Sequence, residues 1–203
     1  MLVIAVCENT EKHEVTVKCS GENYLVTQAD FLSLAVCEGD YLDEEQIELL
    51  EQCANKLKCI KTAFSMLSYN DMSSGKLRRK LAQKYDKATA ALVTELMVER
   101  GYINDASLAV RYAESFYQSK RWGPARIRSE LFSRGFSSSD IDDALEGIEE
   151  NDHSENIRYL LEHKYSQEQL CDRDVSRKAA AYLYRCGYES ADIYEILNQI
   201  YQE

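Results

Sequence analysis

Shifted by 52 residues, this chain overlays itself. Leu131, Gly135, Phe136, Asp140, Ile141 and Leu145 recur as Leu183, Gly187, Tyr188, Asp192, Ile193 and Leu197. A looser copy stands upstream in Leu77, Leu81 and Tyr85. Self-similarity at such a period marks stacked supersecondary units, each too small to bury its apolar face alone. The repeated glycine–aromatic pair has a physical reason. Glycine past a helix end takes the left-handed conformation without a Cβ clash, and the aromatic after it seals the turn. In the upstream copy Gln83-Lys84-Tyr85 lacks the glycine, so that turn must be built another way.

Caps and apolar periods divide the copies into helices. Asp43 opens a helix of roughly 25 residues whose stripe runs through Ile47, Leu50, Leu57, Ile60, Phe64 and Leu67 and ends near Asn70. Helices over Lys76–Gln83 and Lys87–Arg100 follow, the second closed by Gly101 with Tyr102 packing back. Asn104 or Asp105 caps the next helix, through Leu108, Val110, Tyr112, Phe116 and Tyr117. Gly123-Pro124 starts another that ends at Gly135, with proline where its missing N–H costs nothing. Ser137 and Asp140 make a short capping box for the one after. The last copy has helices near Glu155–Glu162, from Val175 to Arg185 after a polar connection, and over Ser190–Tyr201.

Residues 1–27 read differently. Leu2–Val6 is an apolar run, His13–Lys18 alternates with period two, and Ser20–Asn23 supplies turn chemistry before Tyr24-Leu25-Val26. Thr27 caps a short helix over Ala29–Val36. The expected fold is mainly α: a tandem array of three three-helix repeats preceded by a small antiparallel β meander. Its divisions are residues 1–42, 43–103, 104–152 and 153–203.

Net charge is −11, yet it is unevenly spread. Residues 1–72 carry 5 basic and 13 acidic side chains, residues 73–134 carry 13 and 6, and residues 135–203 carry 6 and 16. A basic middle between acidic ends orients a molecule towards a polyanion or an acidic groove. One basic strip is Lys76, Arg78, Arg79, Lys80 and Lys84, which surrounds its helix rather than lining one face. A second gathers Arg111, Lys120, Arg121, Arg126, Arg128 and Arg134 close to Trp122 and three further aromatics. Arg126 and Arg134, eight apart, share a helix face, whereas Arg128 points elsewhere, and the basic excess is expected to have no acidic partners close enough to neutralise it. Diffuse cations beside an aromatic plate suit a single-stranded DNA groove or an acidic protein groove.

Other chemistry is not encoded. Seven scattered cysteines without a C-x-x-C pair point to reduced thiols in a cytoplasmic protein, and three histidines lack ligand spacing, so no metal centre and no cofactor are expected. The acidic runs Asp140–Asp152 and Asp172–Asp174 lack the sharp-turn glycine of a calcium loop. No apolar run is long enough for a bilayer, and no phosphate loop, nucleophile elbow or carboxylate–histidine pair offers catalysis.

The stretch Gly101-Tyr102-Ile103-Asn104-Asp105, then Lys120-Arg121-Trp122-Gly123-Pro124-Ala125-Arg126-Ile127-Arg128-Ser129-Glu130-Leu131 and Arg134-Gly135-Phe136, resembles the RecX family of recombination regulators. There a GYLDD-like element precedes an aromatic-containing helix and a K-G-x-G-x-x-R-I-x-x-E-L segment. Tyr182–Tyr188 with Asp192, Ile193 and Ile196 is similar to the family's closing segment, and the resemblance covers roughly residues 60–203. The meander with Gly39–Asp43 is similar to the leader of longer members. Asn104 stands for an acidic residue, and Arg121-Trp122 replaces a basic–glycine–aromatic order.

The resemblance implies a non-enzymatic protein that binds the RecA recombinase and its filament on single-stranded DNA; separately, the chain is expected to be a monomer. It would block filament extension or promote disassembly, and so damp strand exchange, coprotease activity and ATP hydrolysis. A rival from the residues alone is a helix-turn-helix regulator, with Lys76–Lys84 or Arg126–Arg134 in a major groove. A generic helical scaffold for another protein is a third reading.

Overall fold

The computed structural model describes residues 1–202. Three antiparallel strands, β1 (Val3–Asn9), β2 (Glu14–Cys19) and β3 (Asn23–Thr27), lie in the order β1-β2-β3, with Val6 opposite Val17 and Val17 opposite Tyr24. Alternation turns Val15, Val17 and Cys19 inward. The helices are α1 (Gln28–Leu34), α2 (Glu44–Tyr69), α3 (Ser74–Leu81), α4 (Lys87–Glu99), α5 (Asp105–Lys120) and α6 (Pro124–Arg134). They continue with α7 (Ser138–Glu149), α8 (Ser154–Glu162), α9 (Gln167–Leu170), α10 (Arg173–Cys186) and α11 (Ser190–Gln202). The chain is mainly helical, in bundles that succeed one another, with a small sheet at the start.

Two compact units result, one of Met1–Asp71 with Leu77–Tyr102, the other of Met72–Lys76 with the chain from Ile103 onward. In the first, the inner sheet face closes on Leu50 and Ala54 of α2. Lys61–Glu14 and Lys56–Asp30 ion pairs, each 2.8 Å, tie α2 to the sheet and to α1. Small residues widen the α2 stripe: Ala54, Cys59 and Ala63 are buried, whereas Phe64 is partly exposed and meets Tyr102 edge-on at 4.8 Å. The turn without glycine is closed by Lys84 and Tyr85 N–H groups that both donate to the Leu81 carbonyl, and the Tyr85 hydroxyl reaches Thr62 Oγ1 at 2.8 Å.

In the second unit, α5, α6 and α7 enclose Leu108, Phe116, Ile127, Leu131, Ile141 and Leu145. Helices α8, α10 and α11 enclose Ile157, Leu161, Leu183, Tyr188, Ile193 and Leu197. The recurring residues therefore do recurring work. Gly135 and Gly187 are left-handed, at φ 90° and 96°, and the next N–H closes a six-to-one bond to Leu131 and Leu183 at 3.3 Å in both copies.

A second recurrence is steric. A Cβ on Gly75 would lie 2.2 Å from the Gly135 carbonyl oxygen, and one on Gly123 would lie 2.4 Å from the carbonyl carbon and oxygen of Gly187. Backbone meets backbone at both joints, and only hydrogen fits. At the second joint Gly123 N–H donates to Cys186 O at 2.8 Å and Ala125 N–H to Gly187 O at 3.2 Å.

Four local expectations are corrected. α1 stops at Leu34 because Ala35 turns left-handed, which carries Val36 into the core. The connection before α10 holds a helical turn, α9, capped by Ser166 and Gln169 and anchored by buried Leu170. α10 starts at Arg173 rather than Val175, because Asp172 accepts from the Asp174 and Val175 N–H groups. At α7 the Asp140 carboxylate takes the Ser137 hydroxyl, so half of the expected box is replaced by a side-chain bond.

Candidate functional site

The end of α5 and the start of α6 gather a cationic surface in the second unit. Lys120 is the last helical residue, Arg121 takes the left-handed conformation at φ 53°, and Trp122 N–H returns to Phe116 O at 3.3 Å. That step folds Trp122 back over α5, with its ring 5.1 Å from Phe116, and Lys120 Nζ lies 4.8 Å and 4.4 Å from the two ring centres. One turn into α6, the Arg126 guanidinium covers Trp122 at 4.1 Å. Two turns further, Arg134 covers Tyr112 at 4.8 Å and Phe116 at 5.1 Å, while its Nε donates to Glu130 at 2.8 Å. Three cations thus stand on one aromatic strip. Each contact contributes about 0.5–1 kcal/mol when exposed. The larger effect is that long side chains held against rings lose less freedom when a ligand arrives.

The other sequence candidates go elsewhere. Arg128 is clasped by Asp142 and by Glu149 at 3.1 Å, both on α7. The Asp142 hydrogen bond, with that from Glu149, raises the Arg128 pKa above its ordinary value. The expectation that this arginine has no acidic neighbour is therefore corrected: folding supplies carboxylates 14 and 21 residues away. Arg121 works as a fastener, donating to Asn156 Oδ1 at 2.5 Å with its guanidinium 5.0 Å over Tyr159, while its carbonyl accepts from the Tyr188 hydroxyl at 2.9 Å. Arg111 is exposed on α5. Arg78, Arg79, Lys80 and Lys84 are exposed in the first unit, and Lys76 is half-buried in the second. Trp122 is neither core nor free plate; it is half-buried between cations.

Sequence reading missed one neighbouring group. Lys164, just after α8, holds its ammonium 3.7 Å over Tyr182 of α10 and 5.9 Å from Tyr165. Only folding brings these together, and no local pattern marks them.

The perturbed titrating groups have structural causes. Burial pushes the Cys59 thiol up to about 11 and lifts the hydroxyls of Tyr117 and Tyr188. Backbone N–H bonds at helix starts hold Asp86, Asp152 and Asp172 low. Among the described residues no group of three or more His, Cys, Asp or Glu is placed to hold a metal ion. No described helix is long and apolar enough to cross a membrane.

The arrangement defines a class: a tandem helical-bundle protein with an ordered cationic face. Residues 104–145 match the model of the second three-helix domain of RecX. A regulatory protein RecX of Trichlorobacter lovleyi is 30% identical over 149 residues, covering 71% of this chain and 94% of that one. A regulatory protein RecX of Clostridioides difficile is 24% identical over 164 residues, covering 80% of this chain and 77% of that relative. A crystal structure of regulatory protein RecX superposes with a TM-score of 0.76 at 20% identity over 98% of both chains. The chain belongs to the RecX family.

Proposed function

We propose that this protein regulates the RecA recombinase, binding RecA and its filament on single-stranded DNA and hindering filament growth, strand exchange and ATP turnover. The observation that carries this reading is the strip of Lys120, Arg126 and Arg134 pinned on Trp122, Phe116 and Tyr112. Such a face suits an acidic groove, because its charges are already held in place against aromatic rings. The relatives' name, regulatory protein RecX, supports the same reading. Successive bundles would contact adjacent recombinase subunits and restrain their addition or motion.

A duplex reader is less well supported. A helix-turn-helix protein reads base edges with the first residues of its recognition helix. Here the first turn of α6 is engaged instead, its Gly123 and Ala125 N–H groups bonded to the Cys186 and Gly187 carbonyls.

Titration of the protein into RecA filaments on single-stranded DNA, following ATP turnover, tests the proposal. Turnover should fall, and the Arg126→Glu, Arg134→Glu double variant should need about tenfold more protein for the same effect. Turnover unchanged at saturating wild-type protein removes the reading.

A further inference from the structure

In the first unit β1 is an outer strand of the sheet, and its free edge is only half covered. Ala5, Cys7 and Asn9 bond β2, opposite Lys18, Thr16 and Glu14; by alternation Val6 and Glu8 turn their N–H and C=O groups outward. So does Val3, on the other side of the register shift between Val3 and Ala5. The chain after α1 satisfies Val3 as a strand would. Val3 N–H donates to Asp40 O at 2.9 Å, Gly39 N–H donates to Val3 O at 3.0 Å, and Tyr41 bridges Leu2. That partial fourth strand then leaves in a turn, where Asp40 Oδ2 accepts from Cys37 N–H at 2.7 Å. Val6 N–H therefore meets no carbonyl. A Glu38 carboxylate oxygen accepts from it at 2.7 Å, in the place a strand carbonyl would hold. Beyond it, among the described residues, no backbone group partners the Val6 carbonyl or the Glu8 N–H. Ile4, Glu8, Glu38 and Tyr41 are exposed around this gap.

We propose that this edge is a docking site for an extended, lysine- or arginine-bearing segment of another protein. The segment adds as a strand beside Val6–Glu8 and continues the line that Gly39–Tyr41 begins. Charge selects the partner. Glu8 and Glu38 stand on the edge itself, within a stretch, residues 1–72, that carries 13 acidic against 5 basic side chains. When an incoming carbonyl takes the Val6 N–H, the Glu38 carboxylate is released to pair with a cation of the incoming strand. Main-chain bonds supply affinity, and the carboxylates supply selection. A second copy of this chain would set Glu8 and Glu38 against like charges, which disfavours it. The Glu38 cap also blunts the edge against indiscriminate pairing, as charged residues on outer strands commonly do.

Fluorescence anisotropy with a labelled, end-capped peptide of about eight residues that alternates lysine with valine tests the site. Wild-type protein should bind it at least about tenfold more tightly than the same pattern with glutamate in place of lysine. A lysine–valine peptide methylated on every backbone nitrogen keeps its charge but cannot donate, and should bind about tenfold more weakly. Glu8→Pro removes an outward N–H and leaves the β2 ladder intact, so it should lose the peptide while the thermal melt holds. Glu8→Gln should weaken binding several-fold, and bound peptide should slow hydrogen exchange at the Glu8 amide. Wild-type protein that ignores the lysine–valine peptide overturns the proposal, as does equal binding of the methylated or the glutamate peptide. Concentration-dependent dimerisation that Glu8→Pro abolishes would assign the edge to a second copy and overturn it too.

Discussion

Tyr188 fastens one bundle to its neighbour through a single hydroxyl. Its ring is buried and meets His153 edge-on at 5.7 Å, and its O–H donates to the Arg121 carbonyl. Burial, with the nearby Tyr117, lifts its pKa well above the ordinary tyrosine value, so it stays a donor at any working pH. Tyr188→Phe keeps the ring and leaves that carbonyl without its partner, at a cost of about 1–3 kcal/mol. A thermal melt should show a drop of several degrees, and an unmoved transition would mean that the bond contributes nothing. At this scale the sequence was partly readable. Arg126 and Trp122 are four apart, and helical spacing alone puts Arg126 and Arg134 on one face. The clasp on Arg128 and the Lys164–Tyr182 pair were not readable, because each joins residues that meet only after a helix or more has folded between them.

At the level of elements, glycine serves opposite ends at different positions. Gly123→Ala would press a methyl into the Gly187 backbone and should destabilise by about 1–3 kcal/mol through forced displacement. Gly147, inside α7, has nothing within 4 Å of an added Cβ, so Gly147→Ala should gain about 0.5–1 kcal/mol of helix propensity. Urea denaturation of the pair checks both signs; equal shifts would refute the joint. Helix starts also set the acid limit. Backbone N–H groups of Thr89, Ser154 and Val175 hold the carboxyls of Asp86, Asp152 and Asp172 below their ordinary 3.8. A depressed folded pKa gives stability that is complete above the unfolded value of about 3.9 and is lost as pH falls through the folded one. Stability followed by urea should therefore be flat down to about pH 5 and decline below about pH 4. Replacing all three by Asn should shallow that decline. The glycine-closed helices were legible because Leu131, Gly135 and Phe136 repeat as Leu183, Gly187 and Tyr188. α9 was not, because four residues hold too little periodicity to register.

For the whole molecule, the excess of cations in residues 73–134 sets how binding responds to ionic strength. If the filament is engaged through this segment, raising salt from about 50 to 200 mM should weaken co-sedimentation with RecA filaments by an order of magnitude or more. A salt-independent affinity would assign the contact to apolar surface instead. The grouping of Met72–Lys76 with the later bundles could not be read from periodicity, since it follows from Ser73 donating to Arg134 O at 2.6 Å and Ser74 to Asp105 at 2.5 Å. The glycine joints also give the array a direction of growth. α3 offers Gly75 and α6 offers Gly123 as the flat socket for a following turn, but α10 opens with Arg173, Asp174 and Val175. A fourth bundle grafted behind the third would find no socket. Lengthening the array by design would require a glycine in the first turn of α10, whereas a unit spliced in earlier would carry both halves of the fitting with it.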